Sequence, residues 1–149
     1  ISIAELLDRV GGRTAKGVQI GGASGCCVPS SEFDRRIAFE DVATGGSVIV
    51  FGQDRDMLHV AKNFMEFFVE ESCGQCTPCR AGNAKLLDGI EKLERGACST
   101  AYLQDLLALS ETMQLASKCG LGRCWPNALV FIVTHFQDEI LGRTAAAAR

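Results

Sequence analysis

The sequence predicts an α+β protein: a small Gly-rich α/β module over 1–53, an up-and-down four-helix bundle over 54–142, and a frayed tail over 143–149. Three observations carry this. After one short helix, the first third holds only brief β-type runs between glycines. From about Asp54 the apolar residues return at i, i+3, i+4 and i+7, the period of amphipathic helices. Apolar residues make up 47% of the 149 and charged residues 22%, which excludes a disordered or fibrous chain.

In the first module Ser2 caps a helix over Ile3–Val10, which Gly11-Gly12 ends. Val18-Gln19-Ile20 is a β-type run leading into Gly21-Gly22-Ala23-Ser24-Gly25. After a break at Pro29, Ile37–Phe39 reads as a further extended piece. Ser47–Phe51, between Gly45-Gly46 and Gly52, is the clearest strand. Three strands and one helix bury too little surface for a good core, so more strands are expected upstream of Ile1. The start at Ile1 without a Met points the same way, to a piece of something longer.

The first bundle helix carries Met57, Val60, Ala61, Phe64, Met65 and Phe68, and the second Ala84, Leu87, Ile90 and Leu93, ending near Gly96. Ser99 or Thr100 caps the third, with Leu103, Leu106, Leu107, Ser110 and Met113 on one face. The fourth follows Pro126, a favoured first-turn residue, through Leu129, Ile132, Val133, Phe136 and Ile140. Short connections between helices of this length favour antiparallel neighbours. Thr144–Arg149 is Ala-rich and expected to fray.

The net charge of −3 gives no electrostatic footprint for nucleic acid or a basic membrane patch. The longest apolar run, Ala128–Val133, is far short of the ~18 residues of a membrane span, so no direct span is expected. The start lacks the charged and apolar regions of a secretory leader. Of the 8 Cys, six lie between Cys73 and Cys124. Without an export signal such clustering reads as metal ligation before disulfides, and as a cytoplasmic location.

Cys73-Gly-Gln-Cys76-Thr-Pro-Cys79 places three thiols in seven residues, where the first helix passes into the second. A repeated C-x2-C-x2-C run wraps successive corners of an iron–sulfur core. Gly74 lets the loop bend close and Pro78 stiffens the approach to the helix. The ferredoxin pattern would continue with a fourth Cys, but Asn83 follows Arg80–Gly82, so the last ligand comes from elsewhere. A helix of ~15 residues carries the chain about 22 Å away, placing Cys98 at the far end, and the third helix returns Cys119 and Cys124. Of these two Cys119 is the better placed, directly after the helix and before Gly120; Cys124, beside Trp125-Pro126, reads as a buried spectator. Cys26, Cys27 and Cys98 read as ordinary thiols. A zinc site is the competitor, with disulfides behind it. Zinc takes two ligands from one knuckle, whereas three crowd here. Arg80, Lys118 and Arg123 flank the site, either balancing a negative cluster or as solvated charges. The starts of the second and fourth helices are expected to point at it.

Glu71-Ser-Cys-Gly-Gln-Cys-Thr-Pro-Cys-Arg80, with Gly82 and the later Cys119-Gly-Leu-Gly122, resembles the C-terminal region of NADH-oxidising flavoprotein subunits. These are the diaphorase flavoprotein of NAD-reducing hydrogenases, its counterpart in NAD-dependent formate dehydrogenases, and the flavin subunit of respiratory complex I. The resemblance covers about residues 18–142, most specifically at the Cys triad. Cys119-Gly-Leu-Gly with Pro126-Asn127 is closer to the hydrogenase and formate dehydrogenase branches. It implies a β-grasp-like module over Val18–Phe51, a four-helix domain with one [4Fe–4S] cluster, and the ligands Cys73, Cys76, Cys79 and Cys119. It also implies FMN and NAD in the full subunit only, on a flavin and NADH-binding domain upstream or in another chain, with ferredoxin-like electron-transfer subunits as partners. Gly21–Gly25 lacks a following helix and makes no dinucleotide fingerprint; it reads as a tight loop. His59, His135 and Glu70-Glu71 read as structural or solvated. No acid–base pair or activated nucleophile is visible, so the expected role is an electron relay with no catalytic residue. The alternative is a zinc-stabilised docking module.

Overall fold

The Ser2 hydroxyl accepts the Glu5 N–H and the Glu5 carboxylate accepts the Ser2 N–H, a capping box that opens α1, Ile3–Val10. Gly11 closes it in the left-handed region, as predicted. The structure is a computed structural model that describes residues 1–145. It divides into two units, Ile1–Arg55 and a second beginning at Asp56.

In the first unit β1, Gly17–Ile20, lies between β2, Cys26–Pro29, and β3, Val48–Phe51, in an antiparallel sheet ordered β2-β1-β3. Ile3 and Leu7 of α1 share a core with Val18, Ile20, Val28 and Val42. Two expectations are corrected. The break at Pro29 is instead the last residue of a strand, paired with Gly17; as an edge strand, β2 tolerates the missing N–H. Ile37–Phe39 is no strand, since Ile37 makes only an isolated bridge to Val42. The glycine run is the β1–β2 turn. Gly21 and Gly22 have φ of +90° and +75°, and a Cβ on Gly25 would lie 1.9 Å from the Ile20 carbonyl oxygen.

The second unit comprises α2 (Met57–Glu71), α3 (Thr77–Glu94), α4 (Thr100–Ala116), α5 (Gly120–Cys124), α6 (Asn127–His135) and α7 (Gln137–Leu141). Side-chain partners fix the directions. Lys62 bonds Glu94 while Ser72 meets Cys79, so α2 and α3 are antiparallel. On α3, a Cβ on Gly82 would meet Met113 Sδ and one on Gly89 would meet Leu106 Cδ1, each at 2.2 Å. These contacts make α3 and α4 antiparallel and closely packed. Gln114 bonds Asn127 at 3.0 Å where α4 meets α6. Met65, Leu86, Ile90, Leu93, Leu106, Met113 and Leu129 are fully buried along this bundle, each contributing about 1.5–3 kcal/mol.

This unit departs from expectation at three places, the first being the unforeseen short helix α5. The predicted fourth helix is two, because Phe136 leaves helical conformation (φ −125°, ψ 41°) between α6 and α7. The tail is ordered where it begins. Arg143 Nη2 donates to Asp56 Oδ2 at 2.8 Å, and β5, Thr144–Ala145, pairs in parallel with β4, Cys98–Ser99. Fraying of residues 146–149 lies outside the described residues. Among the described residues no helix is long and apolar enough to cross a membrane.

Candidate metal centre

Cys76 is the N-cap of α3 and Cys79 lies in its first turn, while Cys73 follows the end of α2. Gly74 turns the loop between them at φ +69°, a left-handed conformation that a side chain would strain. Arg80 Nη1 donates to the Gly74 carbonyl at 2.7 Å, and the Gly74 N–H reaches Ser72 Oγ at 3.3 Å. The bend is thus fastened at both ends.

Cys119 arrives as the N-cap of α5, a five-residue helix that periodicity gave no sign of. Its approach rests on Gly122, which the sequence showed only as part of the Cys119-Gly-Leu-Gly122 run. A Cβ there would lie 2.8 Å from Ser117 Cβ and Oγ and 3.1 Å from Cys79 Cβ. Gly120 has a different standing from the one expected: its φ is not positive, and nothing lies within 4 Å of an added Cβ. Replacing Gly122 by Val is therefore expected to push α5 off Cys79 and lower bound iron, while Gly120→Ala leaves it unchanged. Iron and labile-sulfide assays on reconstituted protein, with circular dichroism as a fold control, check this.

Electrostatics tie the four thiols together. Burial pushes the Cys79 thiol up; the Ser72 hydroxyl opposes this, and the neighbouring thiols of Cys76, Cys119 and Cys73 reinforce it. The backbone N–H of Lys118, then that of Cys79, hold the Cys76 thiol below its usual value, with the Lys118 charge adding to the effect. Cys79 is buried, Cys76 half-buried, and Cys73 and Cys119 exposed. Cys124, the last residue of α5, is half-buried. Cys98 is buried at the other end of α3 beside Ser99, and Cys26 and Cys27 belong to β2 in the other unit.

Arg80 and Arg123 brace backbone: Arg123 Nε donates to the Ser117 carbonyl at 2.9 Å. His59 faces Glu94 at 3.8 Å, at the end of α2 away from the triad. The His135 ring lies 4.9 Å from that of Phe131. Glu70 and Glu71 are exposed.

Four Cys gathered at one end of the helices, with backbone N–H groups on the Cys76 sulfur, suit an iron–sulfur cluster, and so does an unmet donor beside them. Ser117 Oγ is buried without a hydrogen-bond partner, across Gly122 from Cys79. Among the described residues, no three His, Cys, Asp or Glu side chains are set as around a single ion. A zinc knuckle takes two ligands from one loop, whereas three Cys in one C-x2-C-x2-C loop is the run that wraps corners of an iron–sulfur core.

The NADH-ubiquinone oxidoreductase-F iron-sulfur binding region matches residues 59–143. The alpha subunit of the NAD-reducing hydrogenase HoxS from Cupriavidus necator is 37% identical over 139 residues, 93% of this chain and 23% of that protein. Subunit HndC of an NADP-reducing hydrogenase from Solidesulfovibrio fructosivorans is 33% identical, over 93% of this chain and 31% of its own length. A solved NAD+-reducing [NiFe]-hydrogenase in the H2-reduced state superposes with a TM-score of 0.90 at 32% identity, covering 97% of this chain and 26% of that one. The chain thus spans about a quarter to a third of the relatives it matches.

Proposed function

The chain belongs to the NADH-ubiquinone oxidoreductase-F iron-sulfur binding region family, and on that premise we propose that Cys73, Cys76, Cys79 and Cys119 hold one [4Fe–4S] cluster. Bound there, the cluster supplies one-electron chemistry between FMN, reduced by NADH on a flavin domain, and the clusters of ferredoxin-like partner subunits. The carrying observation is that Cys76 and Cys79 open α3 directly after Cys73, and that α5, capped by Cys119, packs its Gly122 against Cys79.

The residues divide the work. Cys79 and Asn83 form the buried floor, while exposed Cys73 and Cys119 form the side open to solvent and to a partner. Gly74, Arg80 and Gly122 set the loop and α5 at the distance the ligands need. The peptide N–H groups of Lys118 and Cys79 favour the thiolate form of Cys76, which ligation requires. The hydrogenase relatives and the Cys119-Gly-Leu-Gly run favour an NAD-reducing hydrogenase as the parent complex, ahead of formate dehydrogenase or complex I. A cytoplasmic location belongs to the same reading, since eight free thiols suit a reducing compartment.

Anaerobic reconstitution with iron and sulfide tests the assignment. A brown protein with matched iron and labile sulfide, giving an EPR signal on dithionite reduction, is the expected result. A colourless chain that takes up one zinc and no iron would overturn it.

A further inference from the structure

The Cys79 sulfur is the only one of the four that lies buried, and two polar side chains close on it. Asn83, one helical turn on and 3% exposed, places Nδ2 at 3.5 Å from Cys79 Sγ. Ser72, the last residue before the triad, places Oγ at 3.4 Å. Asn83 also occupies the position where a ferredoxin run would carry its fourth Cys. A buried amide needs a partner to offset its lost hydration, and here that partner is a sulfur.

The alternative direction of each bond, from thiol to side chain, holds only while Cys79 keeps its proton. The contact from Cys79 Sγ to Asn83 Oδ1 is the longer, at 3.8 Å. Once Cys79 ligates iron its sulfur has no proton to give. Both side chains must then donate.

We propose that Asn83 and Ser72 are positioning residues that set the reduction potential of the cluster, by donating Nδ2–H and Oγ–H to the Cys79 sulfur. This inference rests on the ligand assignment of the preceding subsection. Donors on a ligating sulfur withdraw electron density and favour the reduced form, whose charge is more negative. The pair therefore raises the potential above that of the same cluster on a bare apolar floor. Ser72 adds a second effect, since it also accepts the Gly74 N–H that shapes the loop.

The test is an EPR-monitored redox titration of the full reconstituted chain. Asn83→Leu keeps side-chain bulk and helix propensity but removes the amide, and Ser72→Ala removes the hydroxyl. Each is expected to shift the midpoint potential of the clusters that it holds to more negative values, and the double variant to shift it further. Ser72→Thr, which keeps the hydroxyl, is expected to stay at the wild-type potential. If Asn83→Leu fails to hold iron, Asn83→Ala and Ser72→Ala carry the measurement. A cluster-loaded donor-less variant at the wild-type potential overturns the inference, and so does a positive shift. Absence of an iron–sulfur signal in the wild-type chain would instead sink the ligand assignment itself.

Discussion

Cys119→Ser is expected to lose most of its bound iron, while Cys98→Ser and Cys124→Ser keep the wild-type content. Cys119 caps α5, whose Gly122 packs against Cys79. Cys98 lies at the opposite end of α3, paired with Thr144, 18 helical residues or about 27 Å from the triad. Removing a partner that only orients a ligand costs ~10–100-fold in metal affinity, and losing one of four ligands costs at least as much. Iron per chain after anaerobic desalting, with the EPR signal of the reduced protein, measures the difference. Equal iron loss in Cys119→Ser and Cys98→Ser would contradict the antiparallel arrangement. Retention in Cys119→Ser with loss in Cys124→Ser would hand the fourth position to Cys124.

The legible parts of this site were those written locally in the chain. Three Cys within seven residues need no tertiary information, and neither does a helix capped by Ser99 or Thr100 with Leu103, Leu106 and Met113 on one face. The return of Cys119 to the triad followed from helix length and short turns. Gly122 was not legible, because its role lies in a contact with Ser117 and Cys79 that no local pattern encodes. Asn83 was visible only as a missing Cys; its amide acquires meaning from burial against Cys79.

Missed elements have similar causes. Pro29 reads as a breaker until pairing shows that β2 is an edge strand. The gap between α6 and α7 falls at Phe136, with no Gly or Pro to mark it. Ile132 and Ile140 are both buried across the gap, so the periodicity runs on unbroken. The start of the tail is held by Asp56, 87 residues earlier in sequence. Its Ala-rich composition carries no trace of that bond.

The isolated chain, cluster intact, is expected to accept electrons from dithionite and not from NADH. Hydride transfer delivers two electrons together, while a single [4Fe–4S] centre takes one, so a flavin must stand between them. A flavin and a dinucleotide need backbone N–H groups arranged around phosphate, usually at a glycine-rich turn entering a helix. Here Gly21–Gly25 joins two antiparallel strands. Its turn is closed by the Gly25 N–H donating to the Gly22 carbonyl and by Gln19 Nε2 donating to the same oxygen at 2.7 Å. Those groups satisfy one another, and no helix follows to present more. Under anaerobic conditions without free flavin, reduction by NADH should stay below about 1 s⁻¹, the low end of ordinary turnover. Adding a matching flavin domain should restore NADH-driven appearance of the signal that dithionite produces. Reduction of the isolated chain by NADH at a catalytic rate would require a nucleotide site within these residues and would overturn the relay.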